Sequence, residues 1–213
     1  MKDFGLYLII TNPVLPYHQI AEIAVRNNVK MLQLREKNLN DRDLLEVAYV
    51  LREKTADTNT LFAVNDRADI AKLAKADILH LGQNDLSIAD ARKIVGNDII
   101  IGLSTHSLEQ ARNALDFGPA YIGFGPIFKT PTKAVPDPVV GTAKIRSVVD
   151  MADKRNIPVV AIGGIFLDNL ADVLQAGARN ISMVRYFMES TDLDGRIKQI
   201  TKIIHSAGHS EFL

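Results

Sequence analysis

The sequence predicts an α/β fold, a single (β/α)₈ TIM barrel spanning residues 1–213, and three observations carry that prediction. Eight short apolar, often β-branched runs alternate with longer stretches of helical periodicity from one end of the chain to the other. The runs are nearly continuous in apolar character, as strands are when helices cover one face of a parallel sheet and packed side chains cover the other. With 213 residues, eight strand–helix units average roughly 25 residues each, which fits a small closed barrel better than an open doubly wound sheet.

The strands are expected at 6–10, 30–34, 61–64, 78–81, 99–103, 121–124, 158–162 and 181–184. Between them, segments such as 19–26, 41–54, 108–115, 142–154 and 168–175 repeat apolar residues every three or four positions and read as helices. Start signals sit before them: Asn40-Asp41, Ser107 with Gln110 three residues on, and Asp168. Gly118 and Gly177 follow the last helical turn just before a strand, where a left-handed C-terminal cap belongs. The irregular connection 126–141 carries four of the eight prolines and follows the sixth strand. In a barrel that loop lies at the C-terminal face, where active sites are built. The end of the chain, 205–213, has little periodicity and is expected to fray.

Composition narrows the function classes. Basic and acidic side chains number 25 each, so no long-range field favours nucleic acid or an anionic membrane, and phosphate binding has to come from a local site. The absence of cysteine excludes disulfides, thiol nucleophiles, thiolate zinc sites and iron–sulfur clusters, and it fits the cytoplasm. The first apolar run, 6–10, is too short for a signal h-region or a membrane span, so export is not expected. A homodimer is compatible with the sequence, which does not fix the oligomeric state.

The strand ends carry the chemistry. Strand two ends in Gln33-Leu34-Arg35-Glu36-Lys37, where period-two geometry sends Gln33, Arg35 and Lys37 to one side and Leu34 and Glu36 to the other. Two cations and an amide then converge on the mouth, unless the cluster is only a solvated strand-to-loop face. Strand three ends in Asn65-Asp66, and Asp85 follows strand four, so the two carboxylates either share a hard cation such as Mg²⁺ or serve as caps and surface groups. His80 lies on strand four, and Ser104-Thr105-His106 ends strand five with hydroxyls and an imidazole of structural or functional use. Thr130-Pro131-Thr132-Lys133 presents two hydroxyls and a cation on a stiffened backbone, either an anion-binding lid or a plain surface loop. Gly163-Gly164 and Val184-Arg185 end strands seven and eight, where barrels often bind phosphate through backbone N–H groups, although tight turns use the same glycine pair.

Taken together, Gln33-Leu34-Arg35-Glu36-Lys37, Asn65-Asp66, His80-Leu81-Gly82-Gln83 with Asp85, Ser104-Thr105-His106, Gly125-Pro126-Ile127-Phe128-Lys129-Thr130-Pro131-Thr132-Lys133 and Ala161-Ile162-Gly163-Gly164-Ile165 resemble the thiamine-phosphate synthase family over almost the whole chain. The resemblance implies an enzyme that couples 4-amino-2-methyl-5-hydroxymethylpyrimidine diphosphate to 4-methyl-5-(2-phosphoethyl)thiazole, releasing diphosphate. It implies that Gln33 to Lys37, Asn65, Ser104 and Lys133 hold the pyrimidine diphosphate, with Arg35, Lys37, Ser104 and Lys133 as the catalytic set. It further implies Asp66 and Asp85 on Mg²⁺, His80 near the pyrimidine, and Thr130, Pro131, Thr132, Gly164, Val184 and Arg185 on the thiazole phosphate. Arg185 departs from the family pattern, which usually has a small residue, commonly Ser, at that position. The nearest rivals are the related thiazole tautomerase, whose catalytic histidine would fall near His106, and a non-catalytic barrel that binds thiazole phosphate and regulates a partner. A sugar-phosphate isomerase or epimerase would need a general base poised at the ring, and no carboxylate or histidine set explains the basic cluster equally well.

Overall fold

The computed structural model describes residues 3–131 and 137–208. Eight parallel strands are paired in sequence order: β1 (Tyr7–Ile10), β2 (Met31–Leu34), β3 (Leu61–Asn65), β4 (Ile78–Leu81), β5 (Ile100–Thr105), β6 (Tyr121–Phe124), β7 (Val159–Ile162) and β8 (Asn180–Ser182). A parallel bridge between Leu6 and Ile181, with Ile181 N–H donating to the Gly5 carbonyl at 2.8 Å, brings β8 back to the start of β1. The helices α1 (Tyr17–Arg26), α2 (Asp41–Thr55), α3 (Ala68–Leu73), α4 (Ile88–Val95), α5 (Leu108–Asp116), α6 (Ile145–Asp153), α7 (Leu170–Gln175), α8 (Val184–Met188) and α9 (Leu193–Gly208) complete the (β/α)₈ barrel. Among the described residues no helix is long and apolar enough to cross a membrane.

Period-two alternation divides each strand between two cores. Tyr7, Ile9, Met31, Ala63, Ile78, Tyr121 and Val160 point inward and fill the barrel as one cluster. Leu8, Ile10, Leu32, Leu34, Phe62 and Val64 point outward and meet the apolar stripes of the helices. Both faces are dry, which is why the strands read as unbroken apolar runs.

Local chemistry ends the helices as expected in most places. The Asn40 side chain accepts from Asp43 N–H at 3.0 Å, and Ser107 Oγ accepts from Gln110 N–H at 3.0 Å. Gly118 and Gly177 adopt φ of 63° and 98°, the left-handed geometry that stops α5 and α7.

Four expectations need correction. The last strand is Asn180–Ser182 rather than 181–184, because the chain turns at Met183 and Val184 opens α8. The seventh helix starts at Leu170, not at Asp168: the Asn169 carboxamide accepts from Phe166 N–H at 2.9 Å and donates to the Gly164 carbonyl at 3.0 Å, so it closes the preceding turn. The stretch 142–154 begins as a 3₁₀ turn, Thr142–Lys144, before α6 takes over. Residues 205–208 do not fray but belong to α9, whose Ile197 and Ile200 are fully buried.

Candidate active site

Two residues beyond the inner core layer, the alternation that buries Met31, Ala63 and Ile78 delivers Gln33, Asn65 and His80 to the C-terminal mouth. They line one cavity with Arg35, Ser104, Thr130, Gly164, Val184 and Arg185. Nine of the expected site residues, spread over six of the strand ends and the loop after β6, are therefore gathered at one opening. Ile9, Ile162 and Phe166 supply apolar wall between them.

Arg35 stands out electrostatically. Burial pulls its guanidinium below its ordinary pKa, Asp66 and Glu36 act against that from a distance, and among the described residues the guanidinium makes no hydrogen bond or ion pair. Beyond it lies an acidic pair. The Asp66 and Asp85 carboxyl groups lie beside each other, and burial together with Asp66 raises the pKa of Asp85. Asp85 also accepts from Gly82 N–H at 2.6 Å, and the Lys37 ammonium sits against Asp66. Asp66 adopts φ of 61°, a left-handed turn that aspartate tolerates better than most residues.

Leu34 and Glu36 do not line this cavity, and neither do Lys37, Asp66 and Asp85. The first two fall on the opposite phase of the alternation. Leu34 is buried in the helix-facing core, and the Glu36 carboxylate accepts from Asn12 N–H at 2.8 Å and from the Tyr17 hydroxyl at 3.0 Å, which ties the β1–α1 loop to the mouth. Burial raises the pKa of Glu36, and burial together with the neighbouring Glu36 pushes the Tyr17 phenol up to about 12. Pro131 is exposed and is not part of the cavity wall. Thr132 and Lys133 lie outside the described residues.

The base of the 126–141 loop is laid along β7. Ile127 and Phe128 N–H groups donate to the Ile162 and Gly163 carbonyls, each at 2.9 Å. Gly164 adopts φ of 66°, and a Cβ there would stand 2.7 Å from the Phe128 carbonyl oxygen and 2.8 Å from that of Lys129. Glycine is required for the loop to close against this turn. Arg185 reaches the cavity wall while its guanidinium is bound by Glu189, Nε to Oε1 at 2.7 Å, and lies 5.9 Å from the Phe166 ring centroid. His106 also lines the cavity, its Nδ1 2.5 Å from the Gly125 carbonyl oxygen and its Nε2 3.4 Å from Asp137 Oδ2.

Two functional groups escaped the sequence reading. The phenols of Tyr7 and Tyr121 meet at 2.8 Å in the barrel centre, joined to Gln33 on one side and to His80 on the other. The signal for them is positional only: Tyr121 is the register partner of Gly102, and pairing a large inward side chain with glycine requires knowing which strands are neighbours.

A parallel eight-stranded barrel with a partly buried guanidinium and an acidic pair at its C-terminal mouth defines a (β/α)₈ protein whose polar groups gather at the strand ends. Residues 6–187 match the thiamine monophosphate synthase family, and the chain belongs to it. It is 42% identical over 212 residues to the thiamine-phosphate synthase of Halalkalibacterium halodurans, covering 98% of this chain and 99% of that protein. A thiamine-phosphate synthase from Caldicellulosiruptor saccharolyticus is 39% identical over 186 residues, covering 87% of this chain and 83% of the relative. Among solved structures, the thiamine phosphate pyrophosphorylase from Pyrococcus furiosus superposes with a TM-score of 0.83 at 32% identity, covering 96% of both chains.

Proposed function

We propose that the chain couples 4-amino-2-methyl-5-hydroxymethylpyrimidine diphosphate to 4-methyl-5-(2-phosphoethyl)thiazole in the cytoplasm, giving thiamine phosphate and diphosphate in thiamine biosynthesis. The observation that carries this reading is Arg35, a partly buried guanidinium on the cavity wall with no partner among the described residues. A desolvated cation left unpaired is costly unless an anion completes it. Asn65 and Ser104 add an amide and a hydroxyl on the same wall, which suits a leaving diphosphate.

The reaction needs no protein nucleophile. The pyrimidine's amino group feeds electron density through the ring to the exocyclic carbon, so the carbon–oxygen bond breaks with its electron pair departing on diphosphate. The lone pair of the thiazole nitrogen then closes the new carbon–nitrogen bond. Arg35 stabilises the charge that develops on the leaving oxygens, the task Lys37 and Lys133 share in this reading. Thr130, Thr132, Gly164 and the Val184-Arg185 pair receive the thiazole phosphate and hold the nitrogen near the cation, which supplies proximity.

Asp66 and Asp85 fit Mg²⁺. Asp66 raises the pKa of the neighbouring Asp85, and two adjacent carboxylates are a donor set a hard cation satisfies while keeping waters and phosphate oxygens in its other positions. When bound, the ion adds positive charge beside the diphosphate.

The test is to incubate the purified protein with both phosphorylated heterocycles and Mg²⁺ and to follow thiamine phosphate, which is expected to accumulate. Isomerisation of a thiazole carboxylate phosphate without coupling would select the tautomerase reading centred on His106. Binding without turnover would select the regulator.

A further inference from the structure

A chain of five polar side chains crosses the otherwise apolar barrel interior. Gln33 Nε2 lies 2.5 Å from Tyr7 Oη, Tyr7 Oη lies 2.8 Å from Tyr121 Oη, Tyr121 Oη lies 2.8 Å from His80 Nδ1, and His80 Nε2 lies 2.8 Å from Ser104 Oγ. Both phenols are fully buried, and among the described residues neither has a polar partner outside this chain. Space is cleared for it: the inward position of β5 facing Tyr121 is Gly102, and His80 stacks on the Tyr121 ring with centroids 5.5 Å apart.

The chemistry of the end groups gives the chain one direction. A carboxamide nitrogen carries only donors, so Tyr7 Oη accepts from Gln33. Burial raises both phenol pKa values, so each keeps one hydrogen to give. Tyr7 gives its hydrogen to Tyr121, and Tyr121 gives its own to His80 Nδ1, which must be bare. A hydrogen on Nδ1 would instead leave the Tyr121 hydroxyl hydrogen buried without an acceptor, which carries the full desolvation penalty of that group. The neutral ring then carries its hydrogen on Nε2 and donates to Ser104 Oγ. The Ser104 hydroxyl hydrogen is directed away from His80, into the cavity that Ser104 lines.

We propose that Gln33, Tyr7 and Tyr121 are positioning residues that lock His80 as the Nε2–H tautomer, so that Ser104 serves the site as a hydrogen-bond donor to an acceptor atom of the bound pyrimidine diphosphate. The identity of that acceptor rests on the reading above; the tautomer does not.

The experiment is two-bond ¹H–¹⁵N correlation spectroscopy of the ligand-free, imidazole-labelled protein at neutral pH, with the His80 signals among the five histidines assigned from His80→Gln. Wild type is expected to show a bare Nδ1 and a protonated Nε2. Gln33→Glu, whose carboxylate only accepts, is expected to reverse the chain and move the hydrogen to Nδ1. Tyr121→Phe is expected to mix the two tautomers and lower kcat by at least about tenfold, with little change in the thiazole-phosphate KM. Should Tyr121→Phe fail to fold, Tyr7→Phe provides the same tautomer readout one link earlier. An Nδ1–H or doubly protonated ring in wild type overturns the proposal, as does Gln33→Glu with the wild-type tautomer. A wild-type protein with the Nε2–H ring but no coupling activity would sink the functional reading and leave the relay standing.

Discussion

Gly102 and Tyr121 are register partners on β5 and β6, and a Cβ built on Gly102 would lie 2.3 Å from the Tyr121 ring. The barrel centre is therefore packed around one phenol that no larger neighbour permits. Gly102→Ala is expected to destabilise the fold by about 1–3 kcal/mol through overpacking, read from urea denaturation. It should also lower activity, because the ring that must move is hydrogen-bonded to His80 at 2.8 Å. A variant with wild-type stability and turnover would mean that Tyr121 has free space in solution.

Arg35→Ala is expected to reduce kcat at least about tenfold, by loss of one transition-state charge contact, and Arg35→Lys to recover only part of it because a point charge lacks the planar fork. Lys133→Ala should behave as Arg35→Ala does. Steady-state kinetics with both substrates checks this, and wild-type turnover in either alanine variant would remove that residue from the diphosphate role.

The eight strands, the parallel order and the placement of the site at the 126–141 end were legible because each depends on local apolar pattern and on which residues end a strand. The alternation in Gln33 to Lys37 even separates Arg35 from Glu36, although the family pattern groups them together. What was not legible depends on register and on competition between partners. Nothing in Val184-Arg185 says that the strand has already ended at Ser182 and that Glu189 one helical turn on takes the guanidinium. Nor does Asp168 reveal that its neighbour Asn169 closes a turn on Gly164, which moves the helix start two residues on to Leu170.

Removal of divalent cations with a chelator is expected to abolish coupling, and Mg²⁺ to restore it. Asp66→Asn and Asp85→Asn should each raise the Mg²⁺ concentration for half-maximal rate by at least about tenfold, since loss of a ligand matters no less than loss of its supporting shell. Full activity in chelator, or an unchanged Mg²⁺ dependence in both variants, would return these aspartates to a purely structural role.

Glu36 offers a pH signature. Its carboxyl pKa is raised in the folded protein by burial, so the folded state holds a proton to higher pH than the unfolded chain does, about 4.3 for a free glutamate. The stabilisation from this group is complete below the unfolded value and is lost as pH rises through the folded one. Glu36→Gln keeps an oxygen to accept from Asn12 and Tyr17 but carries no charge. At neutral pH the variant should match or exceed wild type in thermal stability, and its advantage should shrink as pH falls through the raised pKa. A variant less stable at neutral pH that gains relative to wild type in acid would contradict the assignment.

Arg185 presents the sharpest choice at the thiazole end. Its ion pair with Glu189 is an exposed i,i+4 pair, and such pairs contribute little in water because solvent and salt screen them. A phosphate carrying two charges, arriving at the cavity wall beside Gly164 and Phe166, offers a stronger and bidentate partner than one screened carboxylate. The expected result is that Arg185 exchanges Glu189 for the phosphate, so Arg185→Ser raises the thiazole-phosphate KM severalfold while leaving the pyrimidine-diphosphate KM near wild type. Glu189→Gln should lower the thiazole-phosphate KM, since it releases the guanidinium without removing it. Were the serine variant to bind thiazole phosphate as well as or better than wild type, the arginine would be an obstruction in that pocket, and the backbone of the β7 and β8 turns would carry the phosphate alone.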